Sequence, residues 1–148
     1  MYSKEEKQAL IRSFWAGFAD AYPRPWRLYH TGIKEVQLKF GLYPREGVYV
    51  ALEIRCKDLE LRRIYFEKMT ALQSILREDY WPDAQMDASY FTEDGQTISR
   101  VWVEHGQWRM GNPAFWPEIW AFFNEKMDAL ERFYGEHEDY IKDLDWNT

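Results

Sequence analysis

The chain has 148 residues, 46% of them hydrophobic, with six prolines and eight glycines, which is the size of one domain and excludes disordered, collagen-like and low-complexity classes. Its formal net charge of -6 works against polyanions, because phosphate binding depends on clustered Lys and Arg. No apolar run reaches the ~18 residues of a membrane span, and the Met1-Tyr2-Ser3-Lys4-Glu5-Glu6 start lacks the basic-then-apolar order of a signal peptide, so a soluble, cytoplasmic protein with no membrane partner is expected.

Residues 3–21 read as a helix opened by a Ser3/Glu6 capping box, with Leu10, Phe14 and Phe18 recurring every four positions. Pro23 and Pro25 end it, and an aromatic connector runs through Trp26, Tyr29 and His30 to Gly32. Alternation then sets in: Val36, Leu38, Phe40 and Leu42 share one face, and Val48, Val50, Leu52 and Ile54 repeat the pattern. A three-residue loop Arg45-Glu46-Gly47 would set Tyr43 opposite Tyr49, Gly41 opposite Ala51 and Lys39 opposite Glu53.

A second helix is expected over 58–78, capped by Asp58, with Leu61, Tyr65, Met69, Leu72 and Leu76 on one stripe. Residues 85–104 read as a second hairpin around a two-residue Asp94-Gly95 turn, with Met86, Ala88, Tyr90, Val101 and Val103 toward the core. A short strand is expected near Gln107 to Met110. Asn112-Pro113 starts a turn, Pro117 opens a third helix to about Tyr134, and the acidic end is expected to fray.

These elements define one α+β domain over residues 1–148: an antiparallel sheet from two β-hairpins with three amphipathic helices on its apolar face, in the order α-β-β-α-β-β-α. Glu67-Lys68-Met69-Thr70-Ala71-Leu72 matches Glu125-Lys126-Met127-Asp128-Ala129-Leu130 at five of six positions. A ββα duplication would give that match, and so would chance among common helix formers.

The motifs Tyr2-Ser3-Lys4-Glu5-Glu6, Phe14-Trp15, Thr31-Gly32-Ile33-Lys34, Lys57-Asp58-Leu59-Glu60, Tyr65-Phe66-Glu67, Ile98-Ser99-Arg100 and Trp116-Pro117-Glu118 with Phe122-Phe123, in this order and spacing, resemble the bacterial domain of unknown function 4268 family over nearly the whole chain. The resemblance implies no established activity. It implies stand-alone proteins and, in some relatives, a domain that follows a predicted nuclease module. It carries over no catalytic residue.

Glu35 followed by Glu53-Ile54-Arg55 has the outline of a metal-dependent nuclease hairpin, an acid and then acid-x-lysine. Arg55 is permanently protonated where a tunable lysine is needed, and the expected register hands Glu53 to Lys39, so an ordinary polar sheet face is the preferred reading. His30, His105 and His137 have no metal-ligand spacing. Asp143-Leu144-Asp145-Trp146-Asn147 begins like a calcium loop but lacks the glycine and distal glutamate. Cys56 is read as a structural cysteine, since no His or acid stands beside it. No metal and no cofactor are expected.

Arg24, Trp26, Arg27 and Tyr29 lie in a locally basic stretch, the composition of a single-strand nucleic-acid contact and equally of a connector folded on its own core. Glu78 to Asp94 holds six acids without a base. The aromatic fraction of 18% exceeds what a small core hides with ease, so part of it should lie on a surface that meets something. On the sheet face away from the helices, Tyr43, Tyr49, Glu53, Arg55, Arg100 and Trp102 have the make-up of a binding region. The expected role is therefore a non-catalytic binding or protein-interaction module, through a protein partner or self-association as a dimer. An accessory domain beside nucleic acid or a nuclease system ranks second, although the isolated chain should bind nucleic acid poorly, and a metal-dependent nuclease-like enzyme ranks third.

Overall fold

The computed structural model describes residues 2–144. Helix α1 (Lys4–Ala21) starts where the capping box places it: Glu6 N–H donates to Ser3 Oγ and Ser3 N–H to Glu6 Oε1, each at 3.1 Å. Strands β1 (Val36–Leu42) and β2 (Val48–Ile54) follow. Then come helices α2 (Leu59–Ala71) and α3 (Gln73–Asp79), strands β3 (Gln85–Phe91) and β4 (Thr97–His105), a 3-10 turn (Pro113–Phe115) and the long helix α4 (Trp116–Lys142).

The sheet is antiparallel in the order β1-β2-β4-β3, so the two hairpins join through β2 and β4. A twofold axis between β2 and β4 would generate the same order. The repeated helical segments also bury matching positions, Tyr65 and Met69 on α2 with Leu72 just after it, and Phe123, Met127 and Leu130 on α4.

One face of the sheet carries Val36, Leu38, Val48, Val50, Leu52, Ile54, Val101 and Val103 into the main core. The helices cover that face with Phe14 and Phe18, with Tyr65 and Met69, and with the α4 series from Ile119 to Tyr134. Burial of the apolar stripes drives this layering. Trp81 is fully enclosed and donates from Nε1 to the Lys126 carbonyl at 3.1 Å, and the buried Tyr134 hydroxyl donates to the Thr31 carbonyl at 2.7 Å, so these polar edges keep partners inside the core.

Several local expectations need correction. The first hairpin is displaced by two residues: Gly41 faces Tyr49, Lys39 faces Ala51, and Glu53 faces Gln37. Tyr43 N–H donates to the Gly47 carbonyl at 3.0 Å, so the loop is Pro44-Arg45-Glu46, with Gly47 just after it at φ +102°. The second turn also holds three residues, Glu93-Asp94-Gly95, closed by a 2.8 Å bond from Thr92 N–H to the Gln96 carbonyl.

The expected second helix is broken at Leu72, whose ψ of 2° departs from the helical value. No strand forms at 107–110. The third helix passes Tyr134 and continues to Lys142, because Ile141 is buried and anchors its last turn. Asp145 to Thr148, part of the expected frayed end and of the calcium-like stretch, lie outside the described residues.

A bulge between Asp87 and Tyr90 changes the parity of β3. Asp87 still faces Arg100, but Tyr90 now faces Ile98, so Tyr90 lies on the side opposite the helices and Ala88 is exposed. Both were expected in the core. Asp87 itself holds the bulge, its Oδ1 accepting from Ser89 N–H at 2.9 Å.

Candidate binding site on the open face of the sheet

The second face carries a small cluster of its own. Tyr49, Ala51 and Trp102 are buried there, with Tyr43 and Tyr90 packed against them. Among the described residues no helical side chain belongs to this cluster. Alternation puts the members together: Gly41 and Tyr43 on β1, Tyr49, Ala51 and Glu53 on β2, and Arg100, Trp102 and Glu104 on β4. The small residues Gly41 and Ala51 leave room for rings to lie flat over the strands.

Arg100 is the centre of the arrangement. Only 2% of it is exposed, and its guanidinium carbon lies 4.0 Å from the ring centroid of Tyr49, 4.2 Å from Tyr90, 4.5 Å from Trp102 and 5.7 Å from Tyr43. Ring faces attract a cation and replace part of its lost hydration. Nη2 donates to the Tyr43 hydroxyl at 2.7 Å, whereas the buried Nε has no acceptor among the described residues.

No carboxylate among the described residues forms an ion pair with Arg100, although β2 and β3 place Glu53 and Asp87 directly across from it. Both acids are otherwise engaged. Glu53, 1% exposed, accepts at Oε1 from Gln37 Nε2 (3.1 Å) and Arg55 Nε (3.0 Å), and Asp87 holds the bulge. The charge of Arg100 is balanced at one remove: the Tyr43 hydroxyl donates to Glu104 Oε1 at 2.8 Å, and Trp102 Nε1 donates to the same oxygen at 2.7 Å.

Burial, and then the bond to Glu104, raises the Tyr43 phenol above its ordinary range against the pull of Arg100. Burial likewise pushes Tyr49 up to about 12. Both stay neutral at physiological pH, so the Tyr43 hydroxyl passes one hydrogen bond inward and one outward.

Above this floor opens a cavity of about 280 Å³. Arg100, Tyr43, Tyr49 and Tyr90 line its base and walls, and Lys39, Glu53, Arg55, Glu93 and Asp94 surround it. Of the binding residues expected from sequence, Tyr43, Tyr49, Glu53, Arg55 and Arg100 line this one cavity, and Trp102 lies under the guanidinium. Tyr90 escaped sequence reading because the bulge hid its parity. Glu104 escaped it too, although its place two positions beyond Trp102 on an alternating strand was a usable signal.

The basic connector is folded onto α4. Arg24 pairs with Asp128 (2.9 Å) and Glu131 (2.6 Å) and stacks over Trp26, while Arg27 pairs with Glu138 at 3.0 Å. Trp26 packs on Phe40, and Tyr29 is 74% exposed. The expected Lys39–Glu53 pair does not form, since Lys39 faces Ala51. Among the described residues no three His, Cys, Asp or Glu side chains are grouped to hold a metal ion, and no helix is long and apolar enough to cross a membrane.

A four-stranded α+β sheet with helices on one face and an aromatic, arginine-centred cavity on the other defines the class. Residues 10–138 match the family described as Domain of unknown function (DUF4268), and the chain belongs to that family. Among curated proteins and among solved structures, nothing matches it.

Proposed function

We propose that the protein is a non-catalytic binding module and that its binding surface is the helix-free face of the sheet. The observation that carries this reading is the buried Arg100 guanidinium at the base of a cavity, with one donor that finds no acceptor among the described residues. Buried donors are normally satisfied, and, unlike His105 Nδ1 and Trp120 Nε1, which also have no partner among the described residues, this one belongs to a side chain that lines the cavity and can be completed by something that enters it. Aromatic walls with a few convergent polar groups are the usual make-up of a ligand cavity.

The nuclease-like reading is less well supported, because Glu53 Oε1 already accepts from both Gln37 and the permanently charged Arg55. The nucleic-acid reading is also weaker, since carboxylates of α4 already occupy Arg24 and Arg27.

A fragment and short-peptide library titrated against isotope-labelled protein tests the proposal. Amide and indole shifts should concentrate at Tyr43, Tyr49, Tyr90, Arg100 and Trp102. Shifts concentrated instead at Arg24 to Tyr29 on adding oligonucleotides, with the sheet face silent throughout, would replace it with the nucleic-acid reading.

A further inference from the structure

The geometry points to a small zwitterionic ligand of the amino-acid type, with a carboxylate on Arg100, an apolar or aromatic body against the cavity-facing edges of Tyr49 and Tyr90, and an ammonium toward Glu93 and Asp94. This rests on the reading of the open face as a binding surface and specifies its chemistry.

Arg100 sets the anionic end. A guanidinium offers five N–H donors in a planar fork that matches a carboxylate, and here the described residues accept one bond from it, through the neutral Tyr43 hydroxyl. A carboxylate is a stronger acceptor than a phenol, because charge-assisted hydrogen bonds are shorter and stronger. The Tyr43 hydroxyl is thus the stand-in that an incoming carboxylate oxygen replaces, and Tyr43 keeps its bond to Glu104 when it yields.

The rest of the lining limits the ligand. Glu93 and Asp94 stand exposed on the β3–β4 turn. Asp94 is held below the ordinary carboxylate range, first by its bond from Thr92 and further by Arg55 and Lys39, so it stays charged at the mouth. With Glu53, Lys39 and Arg55 also lining the cavity, the lining carries both signs, so a monocarboxylate carrying an ammonium finds a partner for each end, whereas a dianionic phosphate leaves Glu93 and Asp94 facing like charge. Like-charge contacts of this kind are how sites reject near relatives of their ligand. A volume of about 280 Å³ lies below the roughly 300–1,000 Å³ of pockets for drug-sized molecules, so it admits one residue-sized unit, either free or at the C-terminal end of a chain.

The test titrates the full protein by calorimetry and by side-chain NMR with L-phenylalanine, N-acetyl-L-phenylalanine, L-phenylalaninamide, phenyl phosphate, and Gly-Gly-Phe with a free or amidated C-terminus. L-phenylalanine should shift the Arg100 Nε–H and the Tyr49 and Tyr90 rings, and its amide should bind at least about tenfold more weakly, as expected when a charged two-oxygen acceptor is replaced by one neutral carbonyl oxygen. Preference between free phenylalanine and Gly-Gly-Phe tells a small molecule from a chain end. Arg100→Gln should abolish binding. Because that change can disturb the fold, Glu93→Gln with Asp94→Asn on the exposed turn serves as the second variant: it should weaken L-phenylalanine and leave N-acetyl-L-phenylalanine unchanged.

Equal binding of acid and amide, or tighter binding of phenyl phosphate at the same residues, overturns the ligand class and leaves the open-face reading intact. Silence of the sheet face toward every probe overturns the ligand class, and the library titration then decides the broader reading separately.

Discussion

The ring of Tyr49 lies so close over Gly41, its cross-strand partner, that a Cβ at residue 41 would overlap the ring. Gly41 sits on an edge strand, and an aromatic laid over a strand glycine compensates its missing side chain and pins the pairing. Gly41→Ala should therefore destabilise the fold by about 1–3 kcal/mol, the usual cost of overpacking, measured by urea denaturation. In a Tyr49→Ala background the same change should cost much less, and additive losses would show that the two residues are not coupled.

The connector offers a second check. Arg27, and after it Lys142, holds the Glu138 carboxyl at about 2, down from 4.5. A carboxylate depressed in the folded state stabilises above its unfolded pKa and loses that contribution as pH falls. Glu138→Gln should therefore cost under about 1 kcal/mol at pH 7, as for partly exposed pairs. The difference from wild type should shrink between pH 4.5 and about 2. A difference that persists unchanged at pH 2 would assign the loss to packing of the side chain.

Single-stranded DNA or RNA should bind more weakly than about 1 µM near 150 mM salt, where few phosphate contacts survive screening. The Arg24 and Arg27 pairs with α4 and the net charge of -6 both oppose it. Fluorescence titration checks this. Arg24→Glu with Arg27→Glu should lower stability and leave the weak binding unaltered. Sub-micromolar binding lost in that variant would restore the basic connector as a nucleic-acid contact.

Plasmid and oligonucleotide substrates should stay intact with magnesium or manganese, because Glu53 is buried between Gln37 and Arg55. Cleavage abolished by Glu53→Ala, with folding preserved by circular dichroism, would overturn this.

Side-chain parity explains what could be read in advance. The first hairpin's register is displaced by two residues, and a displacement of two preserves faces, so Tyr43, Tyr49, Glu53 and Arg55 still fall together. The one-residue bulge in β3 does the opposite, moving Tyr90 to the second face. Caps were legible at Ser3 and Asp58 because a local side chain meets a local N–H. The length of α4 was not, since its last turn depends on burial of Ile141 by distant residues. The state of Arg100 was hidden for the same reason. An arginine on an alternating strand reads as solvated, and its enclosure requires the rings of three strands to close over it.

Arg100→Met separates what this residue does for the fold from what it does for a ligand. A buried guanidinium without a carboxylate partner is costly to desolvate. The surrounding rings return about 0.5–2 kcal/mol per cation–π contact, and the unpartnered Nε removes some of that gain. Methionine has a similar reach, fills irregular space and packs well against aromatic edges. Replacing buried charge by an apolar side chain of like volume is often neutral or stabilising. The variant should therefore keep its thermal midpoint within a few degrees or raise it, while binding of L-phenylalanine is lost. A loss above about 3 kcal/mol, of the size seen when a satisfied buried network is broken, would mean that Arg100 exists to hold Tyr43, Tyr49, Tyr90 and Trp102 in place, and that the cage is part of the fold alone.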